Sequence, residues 1–400
     1  MVRLFSRINN AHLLPPSGMP NFLPAAATLF SAAFPFSSAA QEGKSADAVP
    51  EIRDENGVLD PDDPRFETGG DNGLVYGAGG NVSLEFEIEA DIEAVRERDF
   101  DRQSATEASL TLNGGAALQF YDWVIAAGAV EIDSDFSQTE ILLDEAYVEI
   151  GNEDITPFML TAGFFTSPFG NFKHPHIAKP LIKPAFEVKG ETVDVTYSTD
   201  DFAARIFSVR GRRDVVIYQS EKDEPEKQNQ EWRLGAGLEA SRTISEDIYL
   251  ETEFYLTDSI YGSKELVNFV PNRDRAFGGS AKIGLQYYQY YVSAQYVSAF
   301  ESVDFFDEEE VTTSATPAGL NLELVRAHEF ETFTAYAALG YSQTWGLAAI
   351  QPERQFLLTA GIEKDGFDLA VEYGRQRDYA PPGEKSLPAD FVSVKMTFSW

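Results

Sequence analysis

The residues able to do chemistry fall into two sets of opposite charge. One is a single stretch, residues 166–190, which reads TSPFGNFKHPHIAKPLIKPAFEVKG. It carries Lys173, Lys179, Lys183 and Lys189, with His174 and His176, against one acid, Glu187. Four prolines, at 168, 175, 180 and 184, stiffen it, because each fixes its own φ and restricts the residue before it. The other set is acidic and spaced by two or four residues: Glu85, Glu87 and Glu89; Glu145 and Glu149; Glu251 and Glu253; and Glu372 within its own alternating run. The chemistry this suits is electrostatic rather than covalent. A basic segment facing an acidic wall across a narrow gap sets up a transverse field that orients and selects charged or zwitterionic solutes. The bland reading of the same stretch is an external loop whose lysines meet phosphate groups.

Catalysis and metal binding find little support. His174-Pro175-His176 has the H-x-H form of a metal site, but no carboxylate pair stands beside it, and polar loop surface accounts for it better. Asp54-Glu55-Asn56-Gly57 does not complete the ligand spacing of a calcium loop. Gly77-Ala78-Gly79-Gly80 is not a dinucleotide fingerprint, and no phosphate-binding P-loop or nucleophile elbow is present. A histidine-assisted hydrolase would need His328 near a serine, yet His328 reads as the end of a strand. The absence of cysteine excludes disulfides, thiolate metal sites and thiol catalysis. No enzyme activity, cofactor or metal is therefore expected. Arg205, Arg210, Arg212 and Arg213 form a basic cluster for which anion binding and a structural role are equally good readings.

The elements that must position these residues are strands. At the C-terminus Val392, Val394, Met396, Phe398 and Trp400 alternate with Ser393, Lys395, Thr397 and Ser399, so one face is apolar and the other polar. The terminal aromatics Phe398 and Trp400 have the form of the signal read by the outer-membrane barrel assembly machinery. The same period of two recurs around residues 82–92, 231–240, 247–256 and 367–374. The segments run to about 9–14 residues, as tilted membrane-crossing strands do. About 16 of them follow one another, and their connections alternate short and long. Asp122, Thr199-Asp200, Tyr288-Gln289 and Lys364-Asp365-Gly366 read as tight turns. Residues 95–104, 166–190, 210–230, 258–279 and 301–318 are among the long connections. The fold class this predicts is all-β: a transmembrane antiparallel β-barrel of about 16 strands over residues 81–400, with periplasmic turns and extracellular loops. Neither a soluble sandwich nor a β-helix predicts such alternation.

Composition agrees. The chain has 400 residues, 31 Lys+Arg against 65 Asp+Glu, a net charge of −34, and 30 Phe, 17 Tyr and 4 Trp. Phosphate backbones need a basic surface, so nucleic acid is not an expected partner. Beyond residue 40 no uncharged run free of Pro and Gly is long enough for a membrane helix, which needs about 20 apolar residues. Residues 1–40 read as a cleaved export signal: Arg3 and Arg7 precede an apolar stretch that ends in Ser37-Ser38-Ala39-Ala40. Residues 41–80, rich in Asp, Glu, Gly and Pro, read as an acidic flexible periplasmic leader, too short to plug a barrel.

Three stretches carry a family resemblance. Ala162-Gly163-Phe164-Phe165-Thr166-Ser167-Pro168-Phe169-Gly170-Asn171-Phe172, followed by Gly190-Glu191-Thr192-Val193, resembles the fifth-strand and third-loop region of LbtU-type siderophore porins. Leu143-Asp144-Glu145-Ala146-Tyr147-Val148-Glu149 looks like the fourth-strand pattern of that group. The specific motifs span about 50 residues, and Pro-Phe-Gly after a strand also occurs in phosphate- and sugar-selective porins. The resemblance implies passage of a siderophore, or another anionic chelate, without a plug. The expected function is then an outer-membrane porin whose lumen is narrowed by residues 166–190. Two alternatives stay open: a general or phosphate/sugar-selective porin, and a structural or adhesive barrel with a closed lumen. Expected partners are outer-membrane lipids and lipopolysaccharide, the barrel assembly machinery and a small solute such as a ferric siderophore, with monomer and homotrimer both open as the assembled state.

Overall fold

The computed structural model describes residues 68–69, 73–77, 82–98, 104–121, 123–134, 139–152, 155–169, 172–211, 215–219, 231–245, 247–260, 263, 266, 275–307, 310–348, 350–379 and 388–399. The expected signal peptide, most of the expected leader, Arg212, Arg213 and Trp400 lie outside these residues.

Two short strands come first, β1 (Thr68–Gly69) and β2 (Gly73–Gly77). The barrel begins with β3 (Val82–Arg98), β4 (Ser104–Phe120), β5 (Val124–Ser134), β6 (Thr139–Gly151) and β7 (Phe158–Thr166). A one-turn helix, α1 (Ile182–Phe186), interrupts the connection to β8 (Lys189–Thr199) and β9 (Phe202–Gly211). After β10 (Val215–Gln219) come β11 (Arg233–Ser245), β12 (Ile248–Thr257), β13 (Gly278–Tyr287) and β14 (Tyr290–Ala299). The hairpin β15 (Val303–Asp307) and β16 (Glu310–Ala315) precedes β17 (Ala318–Glu329), β18 (Thr334–Trp345), β19 (Arg354–Lys364), β20 (Phe367–Arg377) and β21 (Pro388–Ser399).

Sixteen of these strands, β3–β9, β11–β14 and β17–β21, pair antiparallel with their neighbours in chain order, and β21 pairs back onto β3. The ring is closed, so no barrel edge is left unpaired. Alternation assigns the faces: Val394 is 37% exposed on the outside while Ser393, its neighbour, is 2% exposed on the inside. The same parity puts Phe86, Ile88 and Ile92 outward and Glu87, Glu89 and Asp91 inward. The short turns lie at one end of the barrel with the start of β3 and the end of β21. At Asp365-Gly366 both residues have positive φ, 41° and 78°, the backbone of the primed turns whose twist matches the strands they join.

Two departures from the sequence reading concern the strands near the start of the barrel. β3 and β4 have 17 residues each and stay paired through Arg98 and Ser104, so residues 95–98 and Ser104 of the connection expected over residues 95–104 are strand. Polar residues on both faces there hide the period of two. Second, the stretch expected to be a flexible leader contains β2, which pairs with Ser83–Phe86 of β3. It takes the side of β3 that β21 vacates where its pairing ends at Glu89. Leu74, Val75 and Tyr76 give this acidic stretch its one strand-forming run.

Candidate functional site

The connection between β7 and β8 crosses the lumen. It leaves the ring at Thr166, reaches β18, β19 and β20 on the far side, and returns to β8 at Lys189. Its far anchor is Glu372, on the inner face of β20 and 0% exposed. The Ile177 N–H donates to Glu372 Oε2 at 3.0 Å and the Ala178 N–H to Oε1 at 2.8 Å. Thr359 on β19 donates its hydroxyl to Oε2 at 2.6 Å. With that proton committed, His176 must donate from Nδ1 to Thr359 Oγ1, at 2.7 Å. His176 Nδ1 also lies 3.5 Å from Glu372 Oε2. The imidazole fits because residue 340 is glycine: a Cβ there would come within 2.5 Å of Nε2. On the return path Ile182 of α1 seats against Gly319 of β17, and Ser263 donates to the Ala185 carbonyl at 2.7 Å.

The basic residues of this connection go to different places. Lys179 is exposed in the lumen, with electrostatic interactions to Glu93 on β3 and Glu131 on β5. Lys173 points the other way, towards Glu251 and Glu253 on β12 and Lys282 on β13; burial, then Lys282, pushes its ammonium pKa down. Lys183 pairs with Glu187 one turn along, at 3.7 Å. Lys189 is the first residue of β8, ion-paired to Asp144 of β6 and lying over the Phe164 ring. It is a wall residue, not part of the crossing segment. His174 stacks on His176 with ring centroids 6.5 Å apart. Burial, then the nearby Lys183, holds its pKa well below the ordinary histidine range.

The acidic set faces inward as the alternation requires. Glu87, Glu145 and Glu149 are buried on β3 and β6, and the side chain of Glu85 is outside the described residues. The wall is not uniformly acidic, however. Lys282 bonds Glu251 and Glu253, each at 3.0 Å. Arg205 on β9 bonds Asp194 at 3.2 Å and Glu239 at 2.9 Å, and Lys395 on β21 bonds Asp91 at 2.8 Å. Arg205 therefore sits in the wall and not beside the β9–β11 connection with Arg210. These pairs join residues on neighbouring strands, so only the register brings them together. Within one strand Lys282 and Lys395 show as isolated polar positions. The acidic charge is densest on β3, β5 and β6, opposite Lys179.

An apolar cluster fills the other half of the mouth. Phe169, Phe172, Ile182 and Phe186 of the crossing segment pack with Phe207, Tyr255, Ile260 and Leu266, and with Val303 and Phe305 of the β15–β16 hairpin. Among the described residues no group of three or more His, Asp or Glu is placed to hold a metal ion. Phe398 packs on Phe367 across the β20–β21 pair, ring centroids 5.3 Å apart.

No protein-family model matches this sequence. A UPF0422 protein of Coxiella burnetii is 22% identical over 292 residues, covering 69% of this chain, and the chain spans 61% of that relative's length. Among solved structures, the barrel is similar to the outer membrane channel DcaP of Acinetobacter baumannii, with a TM-score of 0.52 at 12% identity, covering 81% of this chain and 99% of that one. OmpF of Salmonella typhi gives a TM-score of 0.52 at 13% identity, with 82% and 100% covered. OprB of Pseudomonas putida gives 0.52 at 9% identity, with 80% and 94% covered. At such identities the likeness is one of fold: the chain shares the closed sixteen-stranded barrel of outer-membrane channels.

Proposed function

We propose that this chain is an outer-membrane porin through which a small charged solute diffuses passively, entering past the segment of residues 166–190. The observation that carries the reading is that segment itself, clamped by Glu372 across a barrel with an apolar outer face and an inner one lined by ionisable side chains. The apolar cluster occupies the β9–β14 side, which leaves the passage between Lys179 and the acids of β3, β5 and β6. The finer reading is a siderophore or similar anionic chelate as solute. Its support is the exposed cation of Lys179 and the sequence resemblance of residues 143–149, 162–172 and 190–193 to siderophore porins. Export through a signal over residues 1–40, contact with lipopolysaccharide, assembly through the C-terminal aromatics and a homotrimeric state belong to the same reading.

A second reading has an observation of its own. Packed aromatics inside the mouth are what a structural or adhesive barrel with a closed lumen would show. Single-channel recording in planar bilayers separates the two. Discrete conductance steps from the purified chain support a pore, and their absence from a correctly folded barrel overturns it. Competition of the current by a ferric siderophore, set against phosphate and neutral sugars, tests the solute.

A further inference from the structure

The outer rim at the long-connection end is basic over one arc, in a chain that is otherwise strongly acidic. Strand parity places five arginines there, all exposed and all outward: Arg354 on β19, Arg375 and Arg377 on β20, and Arg96 and Arg98 on β3. Register sets them side by side. Arg354 is opposite Arg377, Arg375 is opposite Asp390 of β21, and Asp390 is opposite Arg98. Neighbouring strands are about 4.8 Å apart, so the arc from β19 to β3 spans only about 15 Å. Two acids share the outer face of the arc. Asp390 accepts from the Tyr373 hydroxyl at 2.8 Å and lies 3.6 Å from Arg375 Nε, and Glu353 pairs with Arg354 at 2.8 Å. Arg375 and Arg354 remain 52% and 47% exposed despite these contacts. Among the described residues, five cations against two acids on this face leave the arc positive. Four residues further along each strand, about 13 Å towards the barrel middle from Arg354, Arg375 and Asp390, the outward residues are apolar: Leu358, Val371 and Val394. Tyr373 and Val392 stand at the boundary, in register with Arg96.

From this geometry we infer that the arc is a binding site for the phosphate groups of a membrane glycolipid whose acyl chains lie along the apolar belt. The inference rests on the membrane placement proposed above. Guanidinium groups in a planar, forked array match phosphate oxygens two at a time, and five on adjacent strands suit a headgroup with two phosphates. The position suits a lipid better than a soluble anion, because the cations border the apolar surface and point away from the lumen. The arc also straddles the β21–β3 junction that closes the barrel, so a bound headgroup would bridge the first and last strands of the ring.

The test uses the purified full chain in detergent, titrated with diphosphorylated lipid A and read by native mass spectrometry. Retention of diphosphorylated lipid A, with dephosphorylated lipid A bound on the order of tenfold more weakly, is the expected result. The triple variant Arg98→Gln, Arg375→Gln and Arg377→Gln should lose that difference, and Arg326→Gln, at the opposite rim, should keep it. Equal retention of the two lipids by the wild type would overturn the inference, as would an unchanged preference in the triple variant. Displacement of the lipid by millimolar inorganic phosphate would show a general anion site and overturn the lipid assignment. If the triple variant fails to fold, by heat-modifiable gel mobility, the wild-type comparison of the two lipids still decides. Channel conductance is recorded on the same samples, so a failed pore reading and a failed lipid site remain distinguishable.

Discussion

At the scale of single residues, Glu372 does the most to define the site. Its carboxylate receives two backbone N–H groups and a hydroxyl, and it lies beside an imidazole donating to that hydroxyl. Hydrogen bonds to a charged group contribute about 1.5–3 kcal/mol each, and an orphaned buried donor costs about 1–3 kcal/mol. Glu372→Ala should therefore release the far end of the crossing segment while leaving the barrel closed. The expected record is a noisier, larger single-channel current with unchanged heat-modifiable mobility; a quiet current of wild-type size would mean that the clamp is not what holds the segment. His174 gives the neighbouring expectation. Its folded pKa is depressed, so its contribution is complete above the unfolded value of about 6.5 and is lost as pH falls through the lowered value. The current noise should rise on acidification, less so in His174→Gln. A pH profile identical in the two proteins would remove His174 from the account.

At the scale of elements, the alternation of faces and the packing between strands make separate claims. Arginine on the outer face near mid-depth costs on the order of 2–4 kcal/mol, so Val394→Arg should reduce the folded, heat-modifiable fraction more than Ser393→Arg does. Equal losses would mean the faces are misassigned. On the inner face the ring of Phe391 lies over its cross-strand partner Gly374, where an added Cβ would come within 1.9 Å of the ring. Gly374→Val should cost about 1–3 kcal/mol by overpacking, read as a lower unfolding midpoint in urea, and Phe391→Ala in the same chain should recover part of it. No recovery would show that the ring is not the obstacle. Strands and tight turns were legible in the sequence because a period of two and an Asp-Gly at a primed turn are local signals. The ends of β3 and β4 were not, since their tips are polar on both faces. Nor were the ion pairs of Arg205, Lys282 and Lys395, or the path from His176 to Thr359, 183 residues apart in the chain. Such contacts depend on register and on what crosses the lumen, which no window of sequence contains.

At the scale of the whole molecule, the question is which charges a passing solute meets. The sequence reading groups Lys173, Lys179 and Lys183 as one basic side, but the fold divides them. Lys183 has Glu187, Lys173 lies among Glu251, Glu253 and Lys282, and Lys179 is left exposed opposite Glu93 and Glu131. Two unit charges about 4 Å apart interact by roughly 4 kcal/mol at an effective dielectric of about 20, so one well-placed lysine can outweigh a diffuse acidic background locally. Lys179→Glu alone should then make the passage more negative and move the reversal potential in a salt gradient towards the cation limit. Lys183→Glu, which changes a charge already paired, should move it little. Adding Lys173→Glu and Lys183→Glu to Lys179→Glu should extend the shift only slightly. The barrel should fold in each case, because these side chains contribute nothing to its ladder of strand hydrogen bonds. If Lys183→Glu matched Lys179→Glu, the selective charge would belong to the segment as a whole. If neither moved the reversal potential of a conducting channel, the solute would not pass between this segment and the β3–β6 wall, and the transverse field would have no part in selection.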